Sequence, residues 1–143
     1  MIYLDSSYLV RLYFEHSGFE TVRQFAASDA VLCAEHGRAE VISAFHRKLR
    51  EHAISERVYQ IALQEFLDEN RAGAFRWLPL SQVIFERIEM VYAKLPSTTF
   101  LRVADAMHLA VAAESGLREI YSNDAKLLMA APHFALRGVN LIE

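Results

Sequence analysis

Four acids in this chain fall where a carboxylate could do chemistry. Asp5 ends the apolar run Ile2-Tyr3-Leu4 and is followed by Ser6 and Ser7; Asp124 closes "IYSND", after a second short apolar run and Ser122. Both positions suit a helix N-cap, because a short polar side chain there satisfies free backbone N–H groups. Both also lie just beyond a strand, at the edge where open α/β sheets gather their ligands. Either reading alone explains each residue, but two such ends in a parallel sheet share one edge.

Asp105 is the sharper signal. It lies in "VADAMHLAVAAESG", a segment apolar almost all round and therefore a buried helix. A carboxylate in such a place is protonated, paired with a cation such as Arg102 or His108, or holds a metal ion, since burying it alone costs several kcal/mol. His108 lies one turn on, and a D-x-x-H pair can ligate a transition metal. A lone histidine on an apolar helix is more often a core residue, and a place behind the ligands fits it better. The other histidines (His16, His36, His46, His52, His133) show no metal-binding spacing among themselves. The fourth acid, Glu40 in "GRAEVISAFHRKL", lies opposite the stripe Ile42, Phe45 and Leu49, so periodicity alone makes it a surface charge.

The elements that must position these acids alternate along the chain. Strands are expected at "MIYL", "AVLCA", "FRWLPL", "REIYS" and "GVNLI", with Pro79 confining the third to an edge or an end. Helical spacing is expected over 7–14, 19–27, 38–51, 55–71, 82–94, 102–114 and 125–131. Strands separated by helices need crossover connections, so the fold class is α/β. A single domain over 1–143 is expected, with a central, mainly parallel sheet flanked by helices on both faces.

Bulk composition narrows the class further. At 143 residues and 53% hydrophobic, the chain suffices for one well-buried core. It has no apolar run long enough for a membrane span and no secretory signal pattern, so a soluble cytoplasmic protein is expected. The single cysteine, Cys33, can make neither an internal disulfide nor a zinc site and reads as a small buried hydrophobe. A net charge of −3 argues against coating nucleic acid by bulk attraction. Yet twelve of the fifteen cations are arginine, and Arg47, Lys48 and Arg50 cluster in "FHRKLR", either a solvated helix face or a phosphate-binding patch.

Taken together, "YLDSSYLVRLY", "AEVISAF", "ADAMHLAVAAESG" and "IYSND" resemble the PIN-domain ribonucleases, in particular VapC-type toxins of toxin–antitoxin pairs. Their order and spacing carry the resemblance over essentially the whole chain. It implies that Asp5, Glu40, Asp105 and Asp124 form an acidic pocket for Mg²⁺ or Mn²⁺, which reverses the periodicity reading of Glu40. It further implies that Ser6 and Ser122 help to position the reacting groups. Ser122 stands where Thr is commoner in the family, and Asn123 intervenes before Asp124.

The implied activity is endoribonucleolytic cleavage. Hard carboxylate oxygens suit these ions, which acidify water for in-line attack on phosphorus and stabilise the leaving 3′ oxygen. The products would be a 5′-phosphate and a 3′-hydroxyl. Arg47, Lys48, Arg50 and Arg102 would then serve the backbone of single-stranded or loop RNA. The resemblance also implies a small antitoxin that blocks the site with a basic side chain, and a homodimer, for which residues such as Tyr8, Leu12 and Phe25 offer helix faces. The alternative is a catalytically weak PIN scaffold that only binds RNA or protein. A haloacid-dehalogenase-type phosphotransferase needs a second Asp where Ser7 stands, and a receiver domain needs an Asp that "FRWLPLS" lacks.

Overall fold

The computed structural model describes residues 1–142. Five short strands, β1 (Ile2–Tyr3), β2 (Val31–Ala34), β3 (Phe75–Leu78), β4 (Glu119–Tyr121) and β5 (Arg137–Val139), all run parallel. One set is ordered β1-β2-β3 and the other β4-β5; a parallel bridge between Leu4 and Tyr121 joins them into the order β3-β2-β1-β4-β5. The Asp5 amide continues that seam by donating to the Tyr121 carbonyl at 3.1 Å. Consequently the chain leaves β1 and β4 side by side, and Asp5 and Asp124 emerge at one sheet edge. Pro79, directly after β3, has no N–H to offer, and β3 is an edge strand.

Seven α-helices are present among the described residues: α1 (Ser6–Val10), α2 (Phe19–Ala26), α3 (His36–Arg50), α4 (Glu56–Ala72), α5 (Gln82–Lys94), α6 (Val103–Glu114) and α7 (Ala125–Ala130). A 3₁₀ turn over Ala131–Phe134 follows α7 and includes Pro132, which cannot continue an α-helical ladder. None of these helices is long and apolar enough to cross a membrane. The middle of the core is β2, buried at all four positions, against which α3 and α6 pack. Gly37 permits the close approach of α3, since a Cβ there would come within 2.6 Å of Cys33 Sγ and 3.5 Å of His108 Cε1. In α6, seven residues between Asp105 and Ala112 are buried, as its all-round apolarity requires.

Two elements differ from the periodicity reading. Helix α1 ends at Val10 instead of Phe14, because the amides of Arg11, Leu12 and Tyr13 bond carbonyls three residues back and tighten the chain. That turn swings Tyr13 and Phe14 onto Phe45, with ring centroids 5.5 and 5.0 Å away. The last strand covers Arg137–Val139 and not "GVNLI". Asn140 leaves it because its carboxamide accepts the Tyr8 hydroxyl at 2.7 Å.

An acid-floored cleft and a buried histidine

The first turn of α1 is built around Asp5. Its Oδ1 accepts the Tyr8 amide at 3.2 Å and the Ser7 hydroxyl at 2.6 Å, while Oδ2 accepts the Ser122 hydroxyl at 2.5 Å. One carboxylate oxygen therefore caps the helix, and the other turns to the neighbouring strand end. Asp124 divides its labour in the same way: Oδ1 caps α7 through the amides of Lys126 (2.9 Å) and Leu127 (3.3 Å), and Oδ2 pairs with Arg102. Capping and clustering at one edge are thus compatible, a point that periodicity could not decide.

Asp105, in the first turn of α6, accepts Arg102 Nε at 2.9 Å. The guanidinium of Arg102 consequently bridges Asp105 and Asp124. Burial pushes the Asp5 carboxyl above the ordinary aspartate value even though the His108 ring and three hydrogen bonds draw it down. For Asp105, burial again raises the pKa; Arg102 opposes the shift and the neighbouring Asp124 adds to it, leaving a net rise. Two acids displaced upward beside a cation are a site that favours positive charge.

Glu40 is on α3 one turn after His36, and it faces the cleft, not open solvent. Its Oε1 accepts His108 Nε2 at 2.5 Å and lies 3.5 Å from His36 Nε2. Burial alone would raise its pKa, but the hydrogen bond and charge of His108 outweigh it and hold Glu40 below the usual glutamate range. The helical wheel failed here because the partner comes from α6, 68 residues away.

His108 is fully enclosed. Burial would favour the neutral ring, yet the Cys33 sulfur and the Glu40 carboxylate beside it hold its pKa well above the ordinary histidine value. On its other side Nδ1 meets the Tyr3 hydroxyl at 2.8 Å, and that oxygen accepts the Ala34 amide at 2.9 Å. A continuous polar chain therefore runs from the cleft through Glu40, His108 and Tyr3 to the backbone of β2. His108 Nε2 meets Glu40 and Asp105 pairs with Arg102, so the two are not turned to each other as a D-x-x-H pair.

All four acids line one open cleft of about 830 Å³, together with Ser6, Arg47, Lys48, Arg50 and Arg102. Ser6 lies near enough to Glu40 to help hold its pKa down. Ser122 sits behind the lining, fully buried, its hydroxyl accepting the Asp124 amide at 2.9 Å. Arg47 and Arg50 are exposed, and Lys48 leans over the Phe14 ring at 5.1 Å and contacts His16. Arg102, which the sequence offered both as a partner for Asp105 and as a backbone-binding cation, is tied to the acids.

Sequence reasoning missed Ser7, which accepts the Asn123 amide at 3.2 Å while holding Asp5, and it missed Tyr3 and His36. The doubled serine after Asp5 was a usable signal for the first; nothing local marks the other two. Oxygen donors alone compose the set Asp5, Asp105, Asp124 and Glu40, so a hard divalent cation fits the chemistry of this floor.

A sequence model of the PIN domain matches residues 2–131. No curated protein matches the sequence. Among solved structures, the fold is similar to Mycobacterium tuberculosis VapC20, described as a sarcin–ricin-loop-cleaving toxin, at TM-score 0.69 and 18% identity, covering 96% of this chain and 99% of that one. It is similar to FitAcB from Neisseria gonorrhoeae at TM-score 0.76 and 17% identity, covering 98% and 97%. VapBC2 from Rickettsia felis, solved with a DNA fragment from its promoter, aligns at TM-score 0.67 and 16% identity over 98% of both chains.

Proposed function

The chain belongs to the PIN domain family, and from that premise we propose that it is a Mg²⁺- or Mn²⁺-dependent endoribonuclease, the toxin of a toxin–antitoxin pair acting in the cytoplasm. The observation that carries this reading is the cleft itself: Asp5, Glu40, Asp105 and Asp124 on its floor, Arg47, Lys48 and Arg50 along its wall. A floor of acids and a wall of cations suit a phosphodiester that must be held at its backbone and cut at one phosphorus atom.

In this reading Asp5, Asp105 and Asp124 hold the cation, with Glu40 completing the set. The bound ion supplies Lewis acidity, making water a better nucleophile and stabilising charge on the departing 3′ oxygen. Ser122 fixes the Asp5 carboxylate in place, and Ser6 stands beside Glu40 and favours its charged form. Arg47, Lys48 and Arg50 bind phosphates flanking the cut, and single-stranded or looped RNA enters the cleft most readily. Arg102, released from the acids when an ion takes its place, is free to meet the same backbone.

A small antitoxin is the proposed partner. The acids already accept a guanidinium from Arg102, and a partner's basic side chain would be received by the same carboxylates. Self-association as a homodimer belongs to the same proposal. One observation favours a second reading, a catalytically weak scaffold that binds RNA or protein: Arg102 compensates Asp105 and Asp124 without any ion. Cleavage of a structured RNA with Mg²⁺ or Mn²⁺, and its loss in EDTA, supports the nuclease. RNA binding with no metal-dependent cleavage supports the scaffold.

A further inference from the structure

Beside the oxygen-only floor lies a group of different chemistry. His36 and Glu40 stand one turn apart on α3, and His108 reaches them from α6; one ligand atom of each residue lies within 4.8 Å of those of the other two. The closest pair, His108 to Glu40, is 2.5 Å apart, and His36 to Glu40 is 3.5 Å. Zinc bonds of about 2.0–2.2 Å at tetrahedral angles place donor atoms about 3.3 Å apart, so small side-chain shifts bring all three onto one ion.

We propose that His36, Glu40 and His108 form a binding site for a borderline divalent ion of the Zn²⁺ class, distinct from the carboxylate floor and sharing Glu40 with it. Two imidazoles and one carboxylate are a donor set that Mg²⁺ disfavours and Zn²⁺ accepts. Three further features support it. Tyr3 grips the far nitrogen of His108 at 2.8 Å, the outer hydrogen bond that orients a ligating imidazole. His36 is lightly committed: Nδ1 is buried without a partner, and Nε2 has only the Ala104 carbonyl at 3.1 Å besides Glu40. The His36 and His108 rings also lie side by side, centroids 4.2 Å apart, so both present Nε2 to Glu40.

An ion bound here takes the place of the hydrogen bond between His108 and Glu40, the Nε2 proton leaving to solvent, and draws Glu40 away from the carboxylate floor. Zn²⁺ is therefore an inhibitor of Mg²⁺-dependent cleavage, a consequence that rests on the nuclease reading; the binding itself does not.

The full chain, stripped of metal by chelator, is titrated with Zn²⁺ by calorimetry and with Co²⁺ by visible absorption, which reports nitrogen ligation. Wild type should bind one Zn²⁺ at least roughly a hundredfold more tightly than Mg²⁺. In His36→Gln, whose amide can still meet the Ala104 carbonyl, Zn²⁺ affinity should fall by more than roughly tenfold, since even an outer hydrogen bond is worth that much. The Co²⁺ spectrum should change, and Mg²⁺-dependent cleavage should persist. Asp105→Asn should retain the Zn²⁺ site. Unchanged Zn²⁺ affinity in His36→Gln, or its loss in Asp105→Asn but not in His36→Gln, overturns the proposal. Absence of cleavage by wild type would sink the nuclease reading alone, because the binding measurements are read without RNA.

Discussion

Ser122 donates a 2.5 Å hydrogen bond to Oδ2 of Asp5, across 117 residues of sequence, and its own oxygen accepts the Asp124 amide. One buried hydroxyl thus ties together the two strand ends that deliver the first and last acids. Ser122→Ala leaves a buried carboxylate oxygen and a backbone N–H each short of a partner. A loss of about 1–3 kcal/mol is expected, together with slower cleavage, because Asp5 is no longer held. Denaturant melts and cleavage rates on the same protein check both; wild-type rates with reduced stability would make the serine purely structural.

Asp5→Asn separates charge from shape. Burial has raised the native pKa of Asp5 above its unfolded value, so the ionised form is disfavoured in the folded state. Such a group subtracts stability as pH climbs from the unfolded pKa through the folded one. In EDTA at pH 7 the variant should melt no lower than wild type, and with Mn²⁺ supplied it should cleave no RNA. A large drop in melting temperature would show that the hydrogen bonds from Ser7, Tyr8 and Ser122 outweigh the cost of burial.

Divalent ions should stabilise the native state by mass action. At a hundredfold excess over the dissociation constant, Mn²⁺ adds about 2.7 kcal/mol to wild type. The double variant Asp5→Asn/Asp105→Asn should gain far less. Thermal melts across a Mn²⁺ series decide it, and equal gains would move the ion elsewhere.

Arg102 occupies the position of a competing cation between Asp105 and Asp124. Removing it in Arg102→Ala should lower metal-free stability by no more than about 1 kcal/mol, since the guanidinium is half exposed and screened. With Mn²⁺ present the deficit should disappear, and apparent Mn²⁺ affinity should rise because no guanidinium must be displaced. Weaker Mn²⁺ binding in the variant would contradict the competition.

What the sequence made legible was local. The strand–Asp–helix pattern at Asp5 and Asp124 could be seen because cap, turn and strand end lie within a few residues, and Asp105 stood out as a charge inside an apolar helix. The chain order of β1 and β4 in the sheet, which sets these ends side by side, required pairing over more than a hundred residues. His36 escaped notice for the same reason: its spacing to Glu40 is helical, but the third member of the group arrives from another helix. Tyr3 read as core, and it is core, yet its hydroxyl reaches across β2 to His108.

Glu40 is where the helical pattern and the packed chain disagree, and Glu40→Gln tests which governs function. The pKa of Glu40 is held low in the folded state, so its charge adds stability at neutral pH that is lost as pH falls through the folded value. Glutamine keeps a neutral acceptor for His108 and forfeits the charge, a difference of about 1 kcal/mol between charged and neutral hydrogen bonds. A surface glutamate would change neither stability nor rate beyond about half a kcal/mol. If instead Glu40 completes the floor of the cleft, Mn²⁺ affinity and cleavage should both fall while the fold survives, because one carboxylate fewer faces the ion. We expect that second result; wild-type Mn²⁺ affinity and cleavage in the variant would return Glu40 to the role of structural partner for His108.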